Sequence, residues 1–189
     1  MAQAISPTRD GLARLSAAEL CVVRAIAWSA RPAPIRSLAI ALSWLGNGWA
    51  YFAIALASLV AAGTKALPAL AIGAFNAGLL HCLYPAIKRW VARPRPYRRD
   101  TSLTPLLRAL DEHSFPSGHA MTLSAALLPL VLAFPQTFGL AIIIGVLMAW
   151  ARLASAHHYP SDVVAGTALG FAVSYPLSLC AFAASRLVP

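Results

Sequence analysis

The chain has 189 residues, 59% of them hydrophobic and only 11% charged. A water-soluble domain carries about a quarter charged residues, so composition excludes an ordinary soluble globule and points to the bilayer. The formal net charge of +9 leaves three partner classes to separate: nucleic acid, an anionic membrane surface and an anionic substrate.

Residues 1–15 are polar, and loose ordering is expected there. Ser16, with Glu19 three positions on, reads as a capping box that opens a helix over 16–31. Arg24 in the middle of that helix favours a position at the membrane interface over a span. Five strong spans follow at 36–63, 66–91, 118–134, 137–156 and 160–184, the first interrupted by "GNG" at 46–48. Each reaches or approaches the roughly 20 residues that cross the hydrocarbon. No short apolar region with a small-residue cleavage site precedes them, so no signal peptide is expected. Backbone in lipid must satisfy its own hydrogen bonds, which makes these segments helical. Residues 1–189 show no internal repeat and no low-complexity linker. They read as one domain, an all-α integral membrane protein built as a bundle of about six helices: five spans and the N-terminal helix. Cys21, Cys82 and Cys180 lie far apart, fit neither a zinc site nor a disulfide framework, and read as small apolar helix residues.

The 92–117 connection is polar and basic, and "KRWVARPRPYRR" at 88–99 holds six of the fifteen Lys and Arg. This short link between spans lacks the spacings of nucleic-acid motifs, so no nucleic-acid partner is expected. It reads either as a topology signal or as an anion site. Tracing the spans brings Lys88, the 92–117 loop, "PSGH" at 116–119 and "AHHYPSD" at 156–162 to one face. The unusual residues of that face are Lys88, Arg93, Arg95, Ser117, Gly118, His119, Arg152, His157, His158 and Asp162. Cations and histidines around one carboxylate suit an anion, whereas magnesium or calcium wants several oxygen ligands; neither a metal nor a cofactor is expected. Phosphate fits, with arginine forks for its oxygens and lysine as a point charge. Ser117 and Gly118 open a helix whose N–H groups attract an anion, and Ser117 reads as either an N-cap or a phosphate donor. Asp162 lies four residues after His158. An aspartate that accepts from one imidazole nitrogen leaves the other free to act as nucleophile or base.

Three stretches in this order now carry a resemblance: Lys88, six residues, Arg95-Pro96; Pro116-Ser117-Gly118-His119; and Arg152, five residues, His158, three residues, Asp162. Together they resemble the three-part signature of the type 2 phosphatidic acid phosphatase superfamily, with Ala151 where that family usually has serine. The resemblance implies a membrane lipid phosphatase with His158 as nucleophile, Asp162 orienting it and His119 as general acid. It implies that Lys88, Arg95, Ser117, Gly118 and Arg152 hold the phosphate oxygens, their charge replacing a metal ion. Arg93-Pro94 lacks the family's interval from Lys88. His157 reads as an interfacial neighbour, His113 beside Asp111 and Glu112 as loop surface, and His81 as a helix-packing residue. The expected substrate is a lipid phosphomonoester or pyrophosphate of the undecaprenyl pyrophosphate, phosphatidylglycerol phosphate, phosphatidic acid or lipid A class. The alternatives are a lipid phosphotransferase using the same intermediate and a non-catalytic membrane protein that binds anionic lipid.

The expected location is a bacterial-type inner membrane, crossed several times. With the N-terminal helix at the interface, thirteen of the fifteen Lys and Arg fall on the active-site face. The positive-inside rule reads that face as cytoplasmic. The resemblance favours the periplasmic face, where many bacterial relatives work.

Overall fold

Proline sets several of the helix boundaries. Among the described residues it stands in the first turn of four of the eight helices, where its missing N–H costs nothing. A computed structural model describes residues 7–185. In chain order the helices are α1 (Pro7–Ser29), α2 (Ala33–Leu45), α3 (Trp49–Ala62), α4 (Leu67–Val91), α5 (Pro96–Arg99), α6 (Gly118–Ala133), α7 (Phe138–Ala154) and α8 (Pro160–Ala184). Among the described residues there is no strand; one isolated antiparallel bridge, Pro94 to His113, closes the neck of the long loop. The sequence expectation of an all-α membrane bundle is met. Among the described residues, three stretches, 49–91, 135–154 and 160–184, are long and apolar enough to cross a membrane.

Helix α6 is the axis of the molecule and packs most extensively against α8 and α4. Small residues permit the close approach: a Cβ on Gly73 of α4 would lie 2.6 Å from the Ala126 carbonyl oxygen, and one on Gly170 of α8 equally close to that of Met121. The start of α3 and the second half of α4 face one cavity, so the 3₁₀ turn at 63–66 reverses the chain between them.

Two expectations need correcting. The span predicted over 36–63 is two helices, α2 and α3, so the described residues hold seven helices of thirteen residues or more, close to the six or so expected. Helix α2 runs about 20 Å, too short to cross, and it lies beside the active-site end of α7: Ala39 packs on Ala154, and the Ser43 and Ser155 hydroxyls are 3.4 Å apart. The break comes from Gly48, whose φ of +139° no ordinary side chain adopts without strain. Next, residues 7–15 are helical and not loose; 1–6 lie outside the described residues. Ser16 and Glu19 therefore sit inside α1 and open nothing. Both are turned inward: Ser16 Oγ accepts from Arg93, and Glu19 accepts from Arg93 and from Ser161. With Arg24 paired to Asp100 and Ala30 packed on Ala154, α1 lies along the active-site face. Four exposed tryptophans, Trp28, Trp44, Trp49 and Trp90, sit at this end of the bundle, the belt expected where lipid meets water.

Candidate active site

A cavity of about 410 Å³ opens between the α2–α3 turn, the second half of α4, the 92–117 loop and the first turn of α6. Its walls include Lys88, Arg95, Gly118, His119, Arg152 and His158, six of the eight residues expected from the sequence. Ser117 precedes Gly118 with its hydroxyl buried and unpartnered, and Asp162 lies buried behind His158.

Each group is held by a local device. Lys88 falls in the last turn of α4, and Nζ donates to Asp111 Oδ1 and to the His113 carbonyl, both at 3.0 Å. Arg95 leads the α5 turn; it donates to Asp111 Oδ1 at 2.7 Å and to the backbone carbonyls of Asp111 and His157. Arg152 ends α7, donates to His157 Nδ1 at 2.7 Å, and leaves Nε buried without a partner. Ser117 occupies the N-cap position of α6 but makes no side-chain cap, so the capping alternative for its hydroxyl falls away. Its own N–H is taken by the Asp162 carbonyl at 2.9 Å. The fit of α6 to α8 at this point needs Gly166, where a Cβ would lie 2.5 Å from the Ser117 carbonyl oxygen.

His158 is buried, and Nδ1 donates to the Ser114 carbonyl at 2.7 Å. The aspartate expected to take that N–H is farther: Asp162 Oδ2 stands 3.6 Å from Nδ1 and accepts the Tyr159 N–H at 2.8 Å, while Oδ1 takes Arg93. The tautomer is thus fixed chiefly by a backbone carbonyl of the long loop, with the carboxylate behind it. Burial, then Arg152, Arg95 and Lys88, push the His158 imidazole well below its ordinary range. It is neutral at physiological pH, with the Nε2 lone pair free.

Several residues missed by sequence reasoning belong here. Arg93, set aside for its interval, is fully buried and joins Ser16, Glu19, Ser161 and Asp162 while stacking 3.9 Å from the Tyr159 ring. Its burial had no sequence signal beyond the second "RP". Asp111 lines the cavity and pairs with two cations; burial opposes its charge, but Lys88 and Arg95 hold its carboxyl below the usual range. His81 lines the cavity and is not merely a packing residue. His113 serves through its backbone carbonyl. His157 is buried, wedged between Arg152 and the Leu107 carbonyl, and burial followed by Arg152 pushes its imidazole down to about 3. His119 meets Asn47 of the α2–α3 turn, with Nε2 2.9 Å from Oδ1. Among the described residues, no three His, Cys, Asp or Glu converge as metal ligands would.

The arrangement can bind a tetrahedral anion, attack it with one imidazole and protonate the group opposite with another. Residues 66–186 match the PAP2 superfamily. A decaprenylphosphoryl-5-phosphoribose phosphatase of Mycolicibacterium smegmatis is 39% identical over 117 residues, 58% of this chain and 61% of that protein, so the chain spans somewhat under two thirds of it. An undecaprenyl-diphosphatase of Sulfolobus acidocaldarius is 27% identical over 144 residues, 76% of this chain and 69% of its own. The crystal structure of a transmembrane PAP2-type phosphatidylglycerolphosphate phosphatase from Bacillus subtilis aligns with 87% of this chain and 94% of its own, at 20% identity and a TM-score of 0.48. With a signature read in the sequence, a cavity that gathers most of it, and a family match over more than half its length, this chain belongs to the PAP2 superfamily.

Proposed function

We propose that this protein is an integral-membrane phosphatase that hydrolyses a lipid phosphomonoester or pyrophosphate through a phosphohistidine. The observation that carries the reading is a pair of buried polar donors left without partners, Arg152 Nε and Ser117 Oγ, beside a histidine whose Nε2 is free. Unpaired buried donors are costly, and a phosphate oxygen would satisfy them. In the first half-reaction Nε2 of His158 forms the N–P bond as the P–O bond to the lipid breaks, and the leaving oxygen takes its proton from His119. In the second, His119 accepts a proton from water, the new P–O bond forms, and the N–P electron pair returns to Nε2 as phosphate leaves. Lys88, Arg95 and Arg152 hold the non-bridging oxygens.

The cavity also suits a substrate whose tail stays in lipid. Ala74, Ala77 and Gly78 form its α4 wall, and Ala74 and Gly78 are exposed on the helix surface. A head group can enter from water while an acyl or prenyl chain lies outside that wall. The relatives' names support an isoprenyl phosphate or diphosphate. The test uses purified protein in mixed micelles with undecaprenyl pyrophosphate, phosphatidylglycerol phosphate, phosphatidic acid and lipid A. Phosphate release from at least one, abolished in His158→Ala, insensitive to EDTA and inhibited by vanadate, is expected. Turnover retained in His158→Ala, or strictly restored by magnesium after chelation, overturns the reading.

A further inference from the structure

We infer that Asn47 is a positioning residue for His119, and that the "GNG" turn at 46–48 is a working part of the active site. This rests on the reading of His119 as general acid. The turn is built around the contact. Asn47 Oδ1 stands 2.9 Å from His119 Nε2. Gly46 has no room for a side chain: a Cβ there would lie 2.6 Å from His119 Cδ2 and 2.6 Å from the Met148 methyl. Gly48 supplies the positive φ that returns the chain into α3. All three turn residues line the cavity. The segment that looked like an interruption of a span is the piece that brings an amide oxygen to the proposed acid.

The chemistry explains why an amide acceptor is wanted. The cations Lys88 from α4 and Arg152 from α7 line the same cavity as this imidazole. Arg95, Asp111, His81 and His158 face the same cavity. A bound phosphate offsets the cations, and the Asn47 oxygen then accepts from the Nε2–H of the protonated ring. It holds the acid form and its orientation until the leaving oxygen takes Asn47's place at that proton. A neutral amide does this without adding a charge that would compete with phosphate for the cations. An aspartate would bind the proton too well.

The experiment compares Asn47→Ala, Asn47→Asp (isosteric, so the turn is kept) and His119→Ala with the parent protein, in detergent. Each is assayed with a lipid phosphomonoester and with p-nitrophenyl phosphate, whose leaving group needs no proton. Asn47→Ala is expected to lose about tenfold in kcat on the lipid ester, the size of one hydrogen bond to a charged group. It should lose little on the aryl ester. The basic limb of its pH profile should move down by about one unit, and that of Asn47→Asp up by a similar amount. Opposite shifts are something a merely structural role would not produce. Equal losses on both esters with unmoved limbs overturn the inference. If His119→Ala keeps lipid turnover, the acid assignment itself falls. If His119→Ala loses turnover while both Asn47 variants behave as the parent, only the role of Asn47 falls.

Discussion

At the scale of single residues, the site is a set of imidazoles kept neutral by burial and neighbouring cations. His158 is held well below its ordinary range, so the neutral form that the proposed nucleophile needs persists into mild acid. The acid limb of kcat/KM is therefore expected well below pH 6.5, where an unperturbed histidine would already be protonated; a limb near 6.5 would contradict the environment described. His157 carries a stability consequence of the same sign. Its imidazole titrates near 3 in the fold and near 6.5 in the unfolded chain. The unfolded chain alone takes up that proton, so stability falls as pH drops from about 6.5 towards 3. Thermal unfolding between pH 7 and 4 should show a falling Tm that flattens in a His157→Gln variant. The sequence made His158, His119, Arg152 and Lys88 legible because their spacing is dictated by chemistry. It hid Asn47 and Asp111, which lie 72 and 8 positions from His119 and meet it or its cavity only through the fold.

At the scale of elements, helix ends and one loop are held together by a few contacts. Arg93 joins α1 to the first turn of α8 through Glu19, Ser161 and Asp162. Removing one partner of a buried charge cluster costs about 3–5 kcal/mol. Arg93→Ala should thus lower Tm in detergent steeply, whereas Arg98→Ala, an exposed neighbour, should not. The α6–α8 contact offers a second comparison. A methyl at Gly166 would press on the Ser117 carbonyl, while one at Gly145 meets nothing within 4 Å. Gly166→Ala should cut kcat/KM by up to about 100-fold through misplacement of the α6 start, with Gly145→Ala near the parent. Spans were legible from apolar runs, but α1 was misread at its start because "SAAE" satisfies the capping pattern in the middle of a helix. Only the contacts of Glu19 with Arg93 and Ser161 show what that carboxylate is for.

At the scale of the whole molecule, every proposed catalytic group lies at one end of the bundle, together with α1, α2 and most of the positive charge. The positive-inside rule puts that end in the cytoplasm. Much of the charge has another occupation, however: Lys88, Arg93 and Arg95 are buried in pairs with carboxylates, which supports the periplasmic alternative. Single cysteines at Arg99 and Lys65, both exposed, decide it in a background without Cys21, Cys82 and Cys180. Labelling of intact cells by an impermeant thiol reagent at 99 and not at 65 is expected; the reverse pattern returns the site to the cytoplasm. This was the least legible property, because a count of charges does not tell a topology signal from a working cation.

The carboxylate of Asp111, seated on Lys88 and Arg95, also decides what the protein ignores. A group tethered in the same chain, 16 positions from Arg95 and 23 from Lys88, competes at an effective concentration in the millimolar range. Free inorganic phosphate, arriving from dilute solution, must outcompete this resident anion each time. A lipid phosphate is itself confined to the bilayer surface beside the cavity and meets the carboxylate on equal terms. The protein thus carries its own rival to soluble anions, and under the proposed function the membrane supplies the advantage that lets a lipid head group win.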